Sequence, residues 1–320
     1  MTNQPSKPIM LFDCKTSQSV MGQDKLLDAG KTMRNHGGYA QGPETRELDE
    51  KLAQFCGSKY CSTCGSGTDA LTLALMAWNV KAGDAVFVSS FTFVASAEAP
   101  VLLGATPIFV DSDPNTYNMD PKDLQRAIDE VKKEGKLTPK VVIPVDIFGS
   151  PCDYDAIKKI AHDNGMKVLA DSCQSFGSEY KGTKTGNVAD MTAVSFYPTK
   201  PLGCYGDGGA VFTNSNEENE MVKSCRVHGM SPEDHYDNIR LGMTGRMNSF
   251  QGAVLLLKMT VFEQELKDRF GEIPAQVTGL MEIVRMRRRC MDLGIERLLV
   301  KNGKMIMYFV GEQTSPFYQS

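Results

Sequence analysis

Four short apolar runs, separated by helical stretches, constrain this chain more than anything else in it. The runs are Ala85-Val-Phe-Val88, Thr106-Pro-Ile-Phe-Val-Asp111, Lys140-Val-Val-Ile-Pro-Val-Asp146 and Lys167-Val-Leu-Ala-Asp171. Between them, residues 95–103, 121–134 and 153–164 read as helices; Asp120 caps the second and Gly165 stops the third. Strands alternating with helices predict an α/β fold, a mostly parallel sheet covered by helices on both faces. Ligands of such sheets bind beyond the carboxyl ends of the strands. Phe93 and Asp171 fall at such ends.

A third strand-end feature is the stretch Ser195-Phe-Tyr-Pro-Thr-Lys200-Pro-Leu-Gly-Cys-Tyr-Gly-Asp-Gly-Gly209. A β-prone run, Met191 to Phe196, enters it, and Ala210-Val-Phe-Thr213 leaves it. Prolines and glycines on either side predict that Lys200 sits on a tight loop between two strands. A lysine held that way suits Schiff-base chemistry. Taken alone, the loop also suits a solvated surface lysine.

Earlier in the chain, Pro43 opens a helix with Leu48, Leu52 and Phe55 on one face, and Gly57 closes it. Residues 1–30 carry only weak periodicity, with Met10-Leu-Phe-Asp13 as a candidate short strand. Tyr60 to Thr63 reads as a strand. After it, Ser66 or Thr68 caps a helix bearing Leu71, Ala74, Leu75 and Trp78. Gly65-Ser-Gly67 before a helix offers free N–H groups and a positive dipole end, which suits a phosphate. It lacks the third glycine of a dinucleotide fingerprint. Cys61-x-x-Cys64 has no second ligand pair nearby, so buried, inert thiols are expected and no metal site.

Composition limits the function classes. The 320 residues carry a net charge of -4, which gives no reason to expect nucleic-acid binding. No apolar run approaches a membrane span, and the first residues show no signal-type apolar core. The 9 scattered cysteines do not resemble a disulfide framework and fit a reducing cytoplasm. Arg285 with Arg287-Arg-Arg289 reads as a solvated helix face rather than a nucleic-acid patch.

A helix-terminus phosphate site, an aromatic plate, a carboxylate and a strand-end lysine together point to pyridoxal phosphate. The lysine would bind the cofactor aldehyde, and the carboxylate would keep the ring nitrogen protonated so that the ring draws electrons. The aromatic would stack on the ring.

Residues 37–260 resemble the DegT/DnrJ/EryC1/StrS sugar aminotransferases. The matching blocks include Gly42-Pro-Glu44, Cys64-Gly-Ser-Gly-Thr-Asp-Ala-Leu71, Phe91-Thr-Phe-Val-Ala95, Asp171-Ser-Cys-Gln-Ser-Phe-Gly177, Ser195-Phe-Tyr-Pro-Thr-Lys200 and Gly203-Cys-Tyr-Gly-Asp-Gly-Gly-Ala210. The resemblance implies a fold-type I pyridoxal-phosphate large domain. It makes Lys200 the covalent anchor and proton carrier and pairs Asp171 with the ring nitrogen. It sets Gln174 near the 3-hydroxyl, Gly67, Thr68 and Ser195 on the phosphate, and Phe93 against the ring. Dehydrating relatives have histidine where Lys200 stands, so amino transfer is implied.

Arg226-Val-His-Gly229, His235-Tyr236 and residues 242–251 resemble the family's next blocks. They imply a homodimer in which this region approaches the partner's site. His228 and Arg246 are the substrate-binding candidates, and Thr244 stands where relatives often have an asparagine. The blocks look closest to enzymes that aminate the 3-keto group of a UDP-N-acetylhexuronate with glutamate as donor, in surface polysaccharide synthesis.

The resemblance ends around 260–266. The sequence thus reads as a large domain over 1–262 and a small α+β unit over 263–320. The second resembles the C-terminal domain of transcription-repair coupling factors, through Leu266-Lys-Asp-Arg-Phe-Gly271, Leu293-Gly-Ile295 and Leu299-Val-Lys-Asn-Gly303. A helix over 273–293 and a hairpin across Asn302-Gly303 are expected there. Because the family's own C-terminal domain is missing, a non-catalytic binding or interaction module stands as the alternative function.

Overall fold

The computed structural model describes residues 22–267 apart from residue 235. The candidate strand at Met10–Asp13 and the helix and hairpin expected after residue 268 lie outside the described residues.

The strands are β1 (Tyr60–Cys64), β2 (Asp84–Ser89), β3 (Thr106–Val110), β4 (Thr138–Ile143), β5 (Lys167–Asp171), the short pair β6 (Glu179–Tyr180) and β7 (Thr183–Lys184), then β8 (Met191–Ser195) and β9 (Gly209–Thr213). Seven of them form one sheet in the order β1-β9-β8-β5-β4-β2-β3. β3, β2, β4, β5 and β8 pair in parallel. β9 is antiparallel to both β8 and β1, so it alone runs against the rest. The mostly parallel α/β expectation holds.

The helices are α1 (Gln23–His36), α2 (Pro43–Cys56), α3 (Gly67–Ala77), α4 (Ala95–Leu102), α5 (Pro121–Glu134), α6 (Tyr154–Asp163) and α7 (Asn216–Cys225). A further helix, α8, starts at 249. α5 illustrates the local logic. Pro121 suits the first turn, the Asp120 side chain accepts from Lys122 N, and Gly135 ends the helix at φ 67°. Leu124, Ala127, Ile128 and Val131 fall on one face and are all buried.

The sheet separates two apolar clusters. Along β2, Val86 and Val88 pack with Leu71 and Leu75 of α3, whereas Ala85 and Phe87 pack with Leu124 and Ile128 of α5. β4 divides the same way, with Val141 and Ile143 on the first side and Val142 on the second. The period of two explains why these strands are apolar throughout: both faces are covered.

One expectation needs correction, and two open points are settled. The strand expected to reach Asp146 stops at Ile143, because Pro144 has no N–H to continue the ladder. α1 lies in a stretch with no clear periodicity and was not anticipated; Gly37 ends it in the left-handed conformation at φ 69°. Of the two candidate caps for α3, Ser66 is the cap and Thr68 lies inside the helix.

Cys61 and Cys64 are buried and free, as are Cys56, Cys152, Cys204 and Cys225. Burial pushes the Cys56 thiol up to about 12 and raises the Cys61 and Cys64 thiols as well. Such thiols stay protonated and unreactive near neutral pH. Among the described residues, no helix is long and apolar enough to cross a membrane.

Beyond β4, the fully buried Asp146 ties two strand ends together. Its Oδ1 accepts from Cys152 N at 2.9 Å and Tyr154 Oη at 2.8 Å. Its Oδ2 accepts from Ser172 Oγ at 3.0 Å and Ser175 Oγ at 2.6 Å. Its N–H donates to the Asp171 carbonyl at 3.1 Å. Burial pushes the carboxyl up, and the donors, Ser175 first, pull it back. An Asp146→Ala change strands all four donors. It should lower unfolding stability by about 3 kcal/mol or more, and Asp146→Asn by clearly less, as measured by chemical denaturation.

Candidate active site

The first half of the site is built where β1 gives way to α3. Ser66 is extended, and its hydroxyl accepts from Asp69 N at 3.0 Å. The N–H groups of Gly67 and Thr68 precede the first intrahelical bond and so remain free to meet an anion. Gly65 N donates to the Gly245 carbonyl at 2.9 Å, which fixes the turn from behind. Glycine is demanded here by space. A Cβ on Gly67 would lie 2.6 Å from Ser195 Cβ, and one on Gly209 would lie 2.2 Å from the Ser66 carbonyl oxygen. The start of α3 therefore rests directly on the base of the β8–β9 hairpin. Ser195, nearly buried at the end of β8, brings its hydroxyl beside Gly67.

Lys200 sits on the loop between β8 and β9, as expected. The loop is closed tightly on itself. Lys200 N donates to the Tyr197 carbonyl at 2.8 Å, Cys204 N to Phe196 at 2.7 Å and Phe196 N to Gly208 at 2.7 Å. A Cβ on Gly203 would lie 2.6 Å from the Pro198 carbonyl oxygen. Gln251 on α8 accepts from Tyr205 N at 2.8 Å and braces the far side. Lys200 itself is half-buried.

Asp171 ends β5 at 5% exposure. Its Oδ2 accepts from Ser96 Oγ at 2.8 Å and its Oδ1 from Cys173 N at 3.2 Å. Each carboxylate oxygen keeps a further lone pair for a ligand. The half-buried Cys173 thiol reports what surrounds it. Burial raises its pKa well up, the Asp171 charge and hydrogen bond act the same way, and Lys200 opposes them. Asp171 ends β5 and Ser195 ends its parallel neighbour β8, so the Lys200 loop leaves the sheet at the rim that carries Asp171. Gln174, half-buried, follows in the same turn.

The structure gathers Gly67, Ser195, Lys200 and Asp171 at one rim of the sheet, with Thr68 and Gln174 on the adjoining turns. Phe93 lies beyond β2 and is 69% exposed, so its face is open to a ligand. His228 and Arg246 are both exposed and lie on the segment after α7. His228 stands at φ 66°, and its Nε2 is 2.8 Å from Thr244 Oγ1. Arg246 adjoins Gly245, whose carbonyl holds the Gly65 turn. Among the described residues, no hydrogen bond joins the His228 or Arg246 side chain to Lys200 or Asp171.

Sequence reasoning missed Asp146 and Ser96. Asp146, like Asp171, is an acid just past a buried strand, and that placement was the available signal. Ser96 carried none, since a serine in a first helical turn reads as a cap.

The residues fit pyridoxal phosphate. A cradle cleared by two glycines meets the free N–H groups of Gly67 and Thr68 and a serine hydroxyl, which suits a phosphate. A buried carboxylate with lone pairs to spare suits a protonated ring nitrogen, and a lysine stands on the loop at the same sheet rim.

Comparison with known proteins agrees with this arrangement. The profile of the DegT/DnrJ/EryC1/StrS aminotransferase family matches residues 21–289. The UDP-2-acetamido-2-deoxy-3-oxo-D-glucuronate aminotransferase of Pseudomonas aeruginosa is 44% identical over 261 residues, 81% of this chain and 69% of that protein. A DegT DnrJ EryC1 StrS aminotransferase from Brucella abortus superposes with a TM-score of 0.79 at 41% identity, covering 82% of this chain and 70% of that one. The PMP form of Spr1654 from Streptococcus pneumoniae superposes with a TM-score of 0.70 at 26% identity, covering 78% of this chain and 67% of that one. The chain spans only part of each relative's length. Its profile match runs through every element of the site, and the chain belongs to the DegT/DnrJ/EryC1/StrS aminotransferase family.

Proposed function

We propose that this chain transfers an amino group from an amino acid to a keto group of a nucleotide-linked sugar, with pyridoxal phosphate as cofactor. The observation that carries the reading is that Asp171, the Lys200 loop and the Gly67–Ser195 cradle all stand at one sheet rim. When bound, the cofactor supplies an aldehyde for a lysine and a ring that withdraws electrons from the reacting carbon.

The chain's own groups do the rest. The N–H groups of Gly67 and Thr68 and the Ser195 hydroxyl hold the phosphate. Asp171 holds the proton on the ring nitrogen, and Gln174 orients the ring from its 3-hydroxyl side. Phe93 covers one ring face and keeps water from it. Lys200 anchors the cofactor. As a free amine, its Nζ would take the proton from the donor's α-carbon and would return one to the sugar carbon.

The identity with the Pseudomonas protein supports a UDP-linked 3-keto-N-acetylhexuronate as acceptor. Glutamate as donor and surface polysaccharide as the product's destination are part of the proposal. A homodimer, working in the cytoplasm, is proposed with it, and His228 and Arg246 are its candidates for binding the acceptor.

Purified protein should be yellow, and glutamate should bleach it as the aminated cofactor forms. Cofactor uptake without bleaching would favour the non-catalytic alternative.

Lys200→Ala should abolish the borohydride-reducible link and slow the glutamate half-reaction by about 10³-fold or more. A reducible link that survives in this variant would refute the lysine's role.

Asp171→Ala should still take up cofactor but slow the half-reaction by about 10²- to 10³-fold, the scale of losing one preorganised electrostatic partner. Unchanged stopped-flow rates would mean that another acid holds the ring proton.

A further inference from the structure

Resting on the pyridoxal-phosphate reading above, we propose that Ser96 is a positioning residue that holds the Asp171 carboxylate, with Thr92 as the donor behind it. Ser96 is 1% exposed on the first turn of α4. Its Oγ lies 2.8 Å from Asp171 Oδ2 and 2.9 Å from Thr92 Oγ1. A serine hydroxyl has one proton to give, and a carboxylate can only accept. The Ser96 proton therefore points to Asp171. The Thr92 hydroxyl must then donate to Ser96, which settles the direction of a contact that the distance alone leaves open.

The usual work of a serine in this position is to cap the helix. Here the cap residue of α4 is Val94, with no side-chain cap bond, and the Ser96 hydroxyl instead reaches a residue 75 positions away. The second donor to Asp171, Cys173 N, acts on the other oxygen. Two donors on two oxygens fix the carboxylate plane; one donor leaves it free to turn. Thr92 also precedes Phe93, so the relay couples the segment that carries the exposed ring to the carboxylate.

The test uses the full chain and pyridoxal phosphate as the probe. Binding is followed by absorbance and by the circular dichroism of the bound cofactor, and unfolding is followed without cofactor. Ser96→Ala should weaken cofactor binding about tenfold, the scale of a lost hydrogen bond to a charged group. It should also reduce the induced circular dichroism, with a cofactor-free melting midpoint within about 4 °C of the parent. Thr92→Val should weaken binding about threefold by leaving Ser96 without its donor, and Thr92→Ser should restore it. Thr92 is partly exposed, so these two variants read the relay even if Ser96→Ala folds poorly. Ser96→Ala binding within twofold of the parent, or equal binding by Thr92→Val and Thr92→Ser, would overturn the assignment alone. A parent chain that takes up no cofactor would overturn the functional reading and the assignment with it.

Discussion

Two backbone contacts hold the site together. Gly67 lies against Ser195, and Gly209 lies against the Ser66 carbonyl, each too close for any side chain. They let the start of α3 sit on the end of β8, so that a helix dipole, a serine hydroxyl and the lysine loop converge. The cost is conformational freedom lost at two glycines on folding. Any larger residue would force helix and hairpin apart and move the phosphate-binding N–H groups away from the lysine.

The carboxylate side depends on different physics. Asp171 is placed by its strand, but its orientation comes from groups that the strand does not carry. Asp146 pins the turn after it through Ser172 and Ser175. Ser96 reaches it from α4. A buried carboxylate is tolerable only when its oxygens are met by donors. These polar ties offset the charge that the site requires.

The sheet was legible because β2, β4 and β5 are apolar on both faces, a pattern that only a covered parallel sheet explains. Lys200 and Gly67 were legible because glycine and proline surround them for steric reasons. α1 was not, because Leu26, Leu27 and Met33 are its only large apolar residues and none of its described residues is buried. The Asp146 and Ser96 contacts were not either, because a hydrogen bond between residues far apart in sequence leaves no periodic trace. The length of the 138–143 strand was misjudged for a local reason: Val145 is apolar enough to extend the run, but Pro144 cannot join the ladder. His228 and Arg246 were named through likeness to relatives, and among the described residues no hydrogen bond joins their side chains to Lys200 or Asp171.

The reversed direction of β9 bears on how such a site is assembled. A strand that runs against its neighbour can follow it through a loop alone, whereas a parallel neighbour needs a crossover that carries the chain back across the sheet. The β8–β9 hairpin is thus a piece of low contact order in a sheet otherwise made by long crossovers. Ser195 and Lys200 come with that local piece, and Asp171 joins through the short β5–β8 connection, while Gly67 must arrive from a remote chain segment at a larger loop-closure entropy. Contact order therefore favours the lysine's hairpin and the carboxylate strand forming before the phosphate cradle, so the order of folding runs from the covalent anchor outward to the groups that hold the phosphate.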